Sequence, residues 1–153
     1  MNDNSLIYAG IGSRETPESI CKKMSQIAHQ LWLLNYTLYS GGAQGADQAF
    51  EAGSHGRNRI WRPKDVTDEA IDLAKKFHPN WNALKPAGKL LIARNGFQVL
   101  GPNLVSPVKF IVCWTKDGGP SGGTGQAIRI AQNYGIKVYN LYYPETKIEE
   151  LGI

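Results

Sequence analysis

The sequence predicts an α/β protein, a three-layer sandwich around a mainly parallel five-stranded sheet. Three observations predict it. Short apolar or β-branched runs alternate with segments of helical periodicity along the chain. The run "VKFIVCW" (108–114) is almost wholly apolar, as a strand covered on both faces must be. Glycine-rich turns follow strands and lead into helices, the connection of parallel β-α-β units. At 153 residues the chain suits a single domain spanning 1–153. No repeat, linker or low-complexity tract divides it.

The elements follow in order. "LIYAGI" (6–11) is the first strand, ending in "GSRETP". Thr16 and Pro17 read as a helix start, a capping hydroxyl followed by proline at the first helical position. Ile20, Met24, Ile27, Leu31 and Leu34 then recur at spacings of three and four, giving one apolar face. Asn35 is placed to stop that helix in a left-handed conformation. "YTLY" (36–39) is the second strand, the loop "SGGAQGAD" (40–47) follows, and a short helix covers 46–54, closed by Gly53 or Gly56. "NRIWRP" (58–63) reads as a third strand ended by Pro63. Segment 67–77 has Ala70, Ile71, Ala74 and Phe77 on one side, a helix. Residues 78–88 are irregular, and another helix covers 88–100. After strand 108–114 comes a second glycine-rich loop, 115–126, then a helix over 125–135 stopped by Gly135. "IKVYNLYY" (136–143) is the last strand, and the tail forms a short helix.

Composition excludes several function classes. The net charge is +4, which suits an anionic ligand but lacks the concentrated basic stripe of a dedicated nucleic-acid binder. No apolar run approaches membrane-spanning length. The first residues lack the basic start and long apolar stretch of a secretory signal, so a soluble, cytoplasmic protein is expected. Cys21 and Cys113 read as core thiols of a reducing compartment. His29, His55 and His78 are scattered, so neither a metal site nor a cofactor is expected.

The chemistry concentrates in three loops that follow strands: "GSRETP", "SGGAQGAD" and "DGGPSGGTGQ". All open at the carboxyl edge of the sheet, where ligands sit in such folds. Each leads into a helix N-terminus, whose free N–H groups and dipole favour an anion. Arg14 adds a guanidinium fork for phosphate or carboxylate. A phosphate-bearing, nucleotide-like ligand is therefore expected. The first turn, "GIGSRE", lacks the third glycine of the dinucleotide fingerprint, and no G-K-[ST] marks a Walker loop. Asp47 has two readings: a plain helix cap, or a group that orients the loop or accepts ribose hydroxyls. Thr124 is likewise a cap or a ligand contact. Trp61, Trp81 and Trp114 are core residues by default, with Trp81 the best placed to stack on a base. Lys75, Lys76 and Lys85 read as a solvated face.

"GSR" (12–14), "SGGAQGAD" (40–47), "RN" (94–95) and "SGGTGQAIRIA" (121–131), in this order, resemble the SLOG superfamily over about residues 6–141. The resemblance implies a Rossmann-like fold and binding of nucleotides, nucleotide-derived signals or single-stranded DNA. It implies ligand contacts at Gly12, Ser13, Arg14, Ser40, Gly41, Gly42, Ala43, Gly45, Asp47, Arg94, Asn95, Gly122, Gly123, Thr124, Gly125 and Gln126. The length is closest to small stand-alone SLOG proteins of the YpsA-related kind, inferred to bind nucleotides or ADP-ribose-like ligands. LOG-type enzymes, which release a base from a nucleotide, carry a glutamate three residues after the threonine that matches Thr124; here that position is Ala127. The LOG reaction thus lacks its acid/base group, and an enzymatic alternative rests on Asp47, Glu15 or Asp117. DNA-processing proteins share "GSR", the S-G-x-A-x-G pattern and "RN", which keeps single-stranded DNA as a third reading. The family also implies a homo-oligomer, a dimer or larger.

Overall fold

The computed structural model describes residues 6–153, so part of the N-terminal segment read above lies outside it. Among the described residues, five strands and five helices follow in order as β1 (Ile7–Gly12), α1 (Glu18–Leu33), β2 (Thr37–Ser40), α2 (Ala46–Gly53), β3 (Asn58–Ile60), α3 (Asp68–Phe77), α4 (Pro86–Leu100), β4 (Phe110–Trp114), α5 (Gly122–Tyr134) and β5 (Lys137–Asn140). Short 3₁₀ turns lie at Pro63–Asp65, Trp81–Ala83 and Ile148–Leu151. The sheet order is β3-β2-β1-β4-β5, and every pair is parallel. The chain thus winds from β1 outward to β3, crosses back, and winds from β4 outward to β5. The direction reverses between β1 and β4.

The pleat sends alternate side chains to opposite layers. Tyr8, Leu38, Phe110 and Val112 pack with Met24, Ile27 and Leu31 of α1 and Phe50 of α2. Ala9, Ile11, Ile111 and Cys113 pack against Val99 and Leu100 of α4 and Ala127, Ile130 and Ala131 of α5. All five positions of β4 are buried, as its unbroken apolar run requires. A third cluster joins Trp61, Ala70, Ala74, Trp81, Ile92 and Phe97 beyond the end of β3. Each large aliphatic or aromatic side chain in these layers contributes about 1.5–3 kcal/mol by leaving water.

Several boundaries differ from the sequence reading, each for a local reason. Thr16 is not a cap: its hydroxyl donates to Ser13 O at 2.6 Å, and Pro17 takes the cap position with no side-chain bond. Asn35 does adopt φ 69°, but the helix already ends at Leu33, which leaves Leu34 at the surface. Pro86 belongs to α4 as its first residue, where its missing N–H costs nothing. The helix expected from 125 begins at Gly122. The last strand stops at Asn140 because that side chain takes over the local hydrogen bonding. Its Oδ1 accepts the Tyr142 N–H at 3.0 Å and its Nδ2 donates to Thr115 Oγ1 at 2.9 Å.

Candidate functional site

The reversal between β1 and β4 opens a crevice at the carboxyl edge, because the loops leaving these neighbouring strands diverge to opposite faces. The crevice is a cavity of about 480 Å³. Its walls come from the loop after β1, the loop before α2, the middle of α4, and the loop and first turn of α5.

The first wall is Gly12, Ser13, Arg14 and Glu15. Ser13 organises this turn, its Oγ accepting the Glu15 N–H at 2.9 Å and its carbonyl accepting the Thr16 N–H at 3.2 Å. Arg14 and Glu15 are exposed, with side chains free to turn toward a ligand.

The second wall depends on Asp47. This residue lies in the first turn of α2 and is 2% exposed. Its Oδ1 accepts the Gly12 N–H and its Oδ2 the Ala43 N–H, each at 3.2 Å. Arg94 Nη2 stands 3.9 Å from Oδ2. Asp47 therefore staples the end of β1 to the loop before α2, which is the loop-orienting alternative to a plain cap. Burial pushes its pKa up to about 6, against the pull of the Ala43 N–H, the Arg94 guanidinium and the Gly12 N–H. Ala43 lines the cavity. Ser40, Gly41, Gly42 and Gly45 do not: they shape the loop from behind. Ser40 Oγ donates to Gly10 O at 2.6 Å, and Gly41 O accepts Arg94 Nη1 at 3.0 Å. Gly42 and Gly45 hold φ of 73° and 85°, which a side chain resists.

The third wall comes from α4. Arg94 reaches up between Gly41 and Asp47, and Asn95 Nδ2 donates to Gly123 O at 2.8 Å, tying α4 to α5. Leu91 and Ile92 make this wall partly apolar. The fourth wall is Thr115 and Lys116 at the end of β4, then Ser121 to Thr124. The first three amides of α5 have no intrahelical acceptor, and Gly125 N–H is the first to find one, at Ser121 O, 2.9 Å. Thr124 is not the cap of this helix but sits in its first turn, buried and facing the cavity.

Other expected residues sit elsewhere. Gly125 packs against the Pro120 carbonyl. Gln126 is buried and points away, its Nε2 donating to Ala74 O at 3.1 Å and its Oε1 accepting Arg129 Nη2 at 2.9 Å. Ala127 is buried in the apolar layer under the sheet, so α5 presents no carboxylate there. Asp117 is exposed outside the cavity lining, engaged by Ser121 Oγ at 2.7 Å and Gly119 N–H at 2.9 Å. The Ser121 bond, then the Gly119 bond, hold its pKa below the ordinary value. Trp81 belongs to the third core cluster, with Lys89 Nζ 5.7 Å from its ring centroid, and does not line the cavity. Thr115, Lys116, Leu91, Ile92 and Ser121 were not singled out from sequence. Thr115 and Lys116 had a usable signal: they directly follow the apolar strand at the edge where ligands collect.

Among the described residues no group of three His, Cys, Asp or Glu could hold a metal ion. No described helix is long and apolar enough to cross a membrane.

No family model matches the sequence. No curated protein matches it either. Among solved structures the chain is similar to DNA processing protein A from Helicobacter pylori, a protein studied for its single-stranded DNA binding mode. The TM-score is 0.63 at 16% identity, over 88% of this chain and 64% of that one. At that identity the likeness is one of fold, and this chain spans less than two thirds of the other protein's length.

Proposed function

We propose that this chain binds a nucleotide or nucleotide-derived ligand by its phosphate, in the cleft between the ends of β1 and β4. One observation carries the reading. Arg94 is held by Gly41 O and Asp47 on one side of a cavity whose other side is the unpaired first turn of α5. A guanidinium facing helix-terminal amides is a natural phosphate cradle. The volume of about 480 Å³ is in the range of small-molecule sites. Leu91 and Ile92 offer an apolar surface to the base or sugar. The small stand-alone SLOG type, sensing or sequestering such a ligand, is the family branch this reading corresponds to. Both oxygens of Asp47 are engaged by loop amides, which supports a positioning role rather than acid/base chemistry.

Calorimetry with AMP, ADP and ADP-ribose tests the reading. Arg14→Ala is the informative variant, because Arg14 is exposed and its loss leaves the fold intact. It weakens nucleotide binding about tenfold, the effect of one charge-assisted phosphate contact. Undiminished affinity, or no binding by the folded wild type, sinks the proposal.

A second reading, single-stranded DNA binding, is favoured by the fold shared with DNA processing protein A. Retention of oligonucleotides at physiological salt with no response to nucleotides would put it first.

A further inference from the structure

Two guanidinium groups close on consecutive residues of the loop before α2. Arg94 rises from α4 and closes on Gly41, where an added Cβ would stand 2.8 Å from its Cζ. Arg62, just past β3 at the same carboxyl edge, closes on the next residue. A Cβ added at Gly42 would stand 2.6 Å from its Nη1. Consecutive Cα atoms lie about 3.8 Å apart, so two cations flank a single step of backbone. Only glycines leave room for both. The Arg14 backbone backs the same loop, its Cα 3.4 Å from the position of a Cβ on Gly45, and its positive charge acts on Arg94.

These charges are poorly compensated. Among the described residues, Asp47 is the one carboxylate within ion-pair distance of any of the three arginines, at 3.9 Å from Arg94. Asp65, close to Arg62 in sequence, spends an oxygen on the Arg62 backbone N–H at 2.8 Å. Burial draws the Arg94 pKa down, Asp47 opposes it, and the positive charges of Arg62 and Arg14 draw it down further. Arg62 itself is exposed and lies outside the cavity lining. Two guanidinium groups at consecutive glycines, with the Arg14 charge acting on one of them, favour anions at this loop.

We propose that Arg62 forms a second anion subsite beside the cleft, at Gly42, so that the ligand carries two phosphate groups. One lies in the cleft with Arg14, Arg94 and the first turn of α5. The other lies over Gly42 against Arg62. This rests on the nucleotide reading above. Two phosphates this close come from a pyrophosphate or from neighbouring phosphates of a dinucleotide.

Calorimetry on the full chain with AMP, ADP and a 5′-phosphorylated thymidine dinucleotide separates the cases. Wild-type protein binds ADP or the dinucleotide about tenfold more tightly than AMP, the gain from a second charge-assisted contact. Arg62→Ala removes that gain and leaves AMP affinity within about twofold. The ligand that loses affinity identifies the source of the second phosphate. Arg62→Glu, with an unchanged melting temperature, lowers affinity for the same ligand further and serves as the second variant. If AMP binds but Arg62→Ala changes nothing, the subsite is overturned and the cleft reading stands. Equal weakening of AMP places Arg62 in the cleft itself and also overturns the subsite. If the wild type binds none of the three, both proposals fall.

Discussion

At the scale of one residue, Asp47 couples the geometry of the cleft to pH. Its carboxyl is buried, and its native pKa of about 6 exceeds its ordinary value of 3.8. The sign follows from which state holds the proton. Between those values the folded chain binds a proton that the unfolded chain has lost. That binding stabilises the fold fully below 3.8 and is lost as pH rises through about 6. The gap corresponds to roughly 3 kcal/mol. Asp47→Asn removes this titration but keeps the shape. It leaves one of the Gly12 and Ala43 amides facing an NH₂ group, at a cost of about 1–3 kcal/mol. The stability advantage of wild type over Asp47→Asn should therefore be largest below pH 3.8, shrink as pH rises through about 6, and level off toward pH 7. Urea unfolding at several pH values reads it directly. A difference independent of pH would show that the Asp47 carboxyl is not held above its ordinary range.

At the scale of the element, the cleft exists because β1 and α2 approach closely at Gly12. A Cβ there would collide with the Ala46 Cβ, and the same two elements are stapled by Asp47. Gly12→Ala should destabilise by roughly 1–3 kcal/mol through overpacking, and should weaken ligand binding by spreading the wall. Gly56→Ala is the control, since its φ of 81° is strained but nothing lies within 4 Å of the new methyl. Nucleotide calorimetry should rank Gly12→Ala below Gly56→Ala in affinity, and equal affinity would contradict the stapled-wall account. The elements themselves were legible because periodicity is local. Met24, Ile27 and Leu31 fall on one face of α1 from spacing alone and are buried. The ends were less legible, because they depend on side chains such as Asn140 that divert the hydrogen bonds of the strand. The roles of individual glycines were hidden for a related reason. Gly41 and Gly42 read alike in sequence, and each is fixed by an arginine that arrives from elsewhere in the chain, Arg94 and Arg62. No local pattern announces such a contact.

At the scale of the whole molecule, alternation of strands and helices was enough to place three glycine-rich loops at one edge. The strand order was not readable, since parallel β-α-β units can be added on either side of a sheet. It is the order β3-β2-β1-β4-β5 that makes the loops of β1 and β4 neighbours and turns two separate turns into one cleft. That order also sets how far a polyanion can be followed. The cations at this edge stay close to the cleft, with Arg14, Arg94 and Lys116 lining it and Arg62 beside it, and the net charge of the chain is only +4. For single-stranded nucleic acid, log affinity falls with log salt by about 0.7 per phosphate neutralised. A site holding two phosphates then gives a slope near −1.4 by the same rule. Oligothymidylates of five and twenty nucleotides should therefore show similar slopes, no steeper than about −1.5. A slope that steepens with length to about −3 or beyond would mean a track of four or more contacted phosphates. Such a track would need cations well outside this cleft, and it would transfer the site from a nucleotide to a strand.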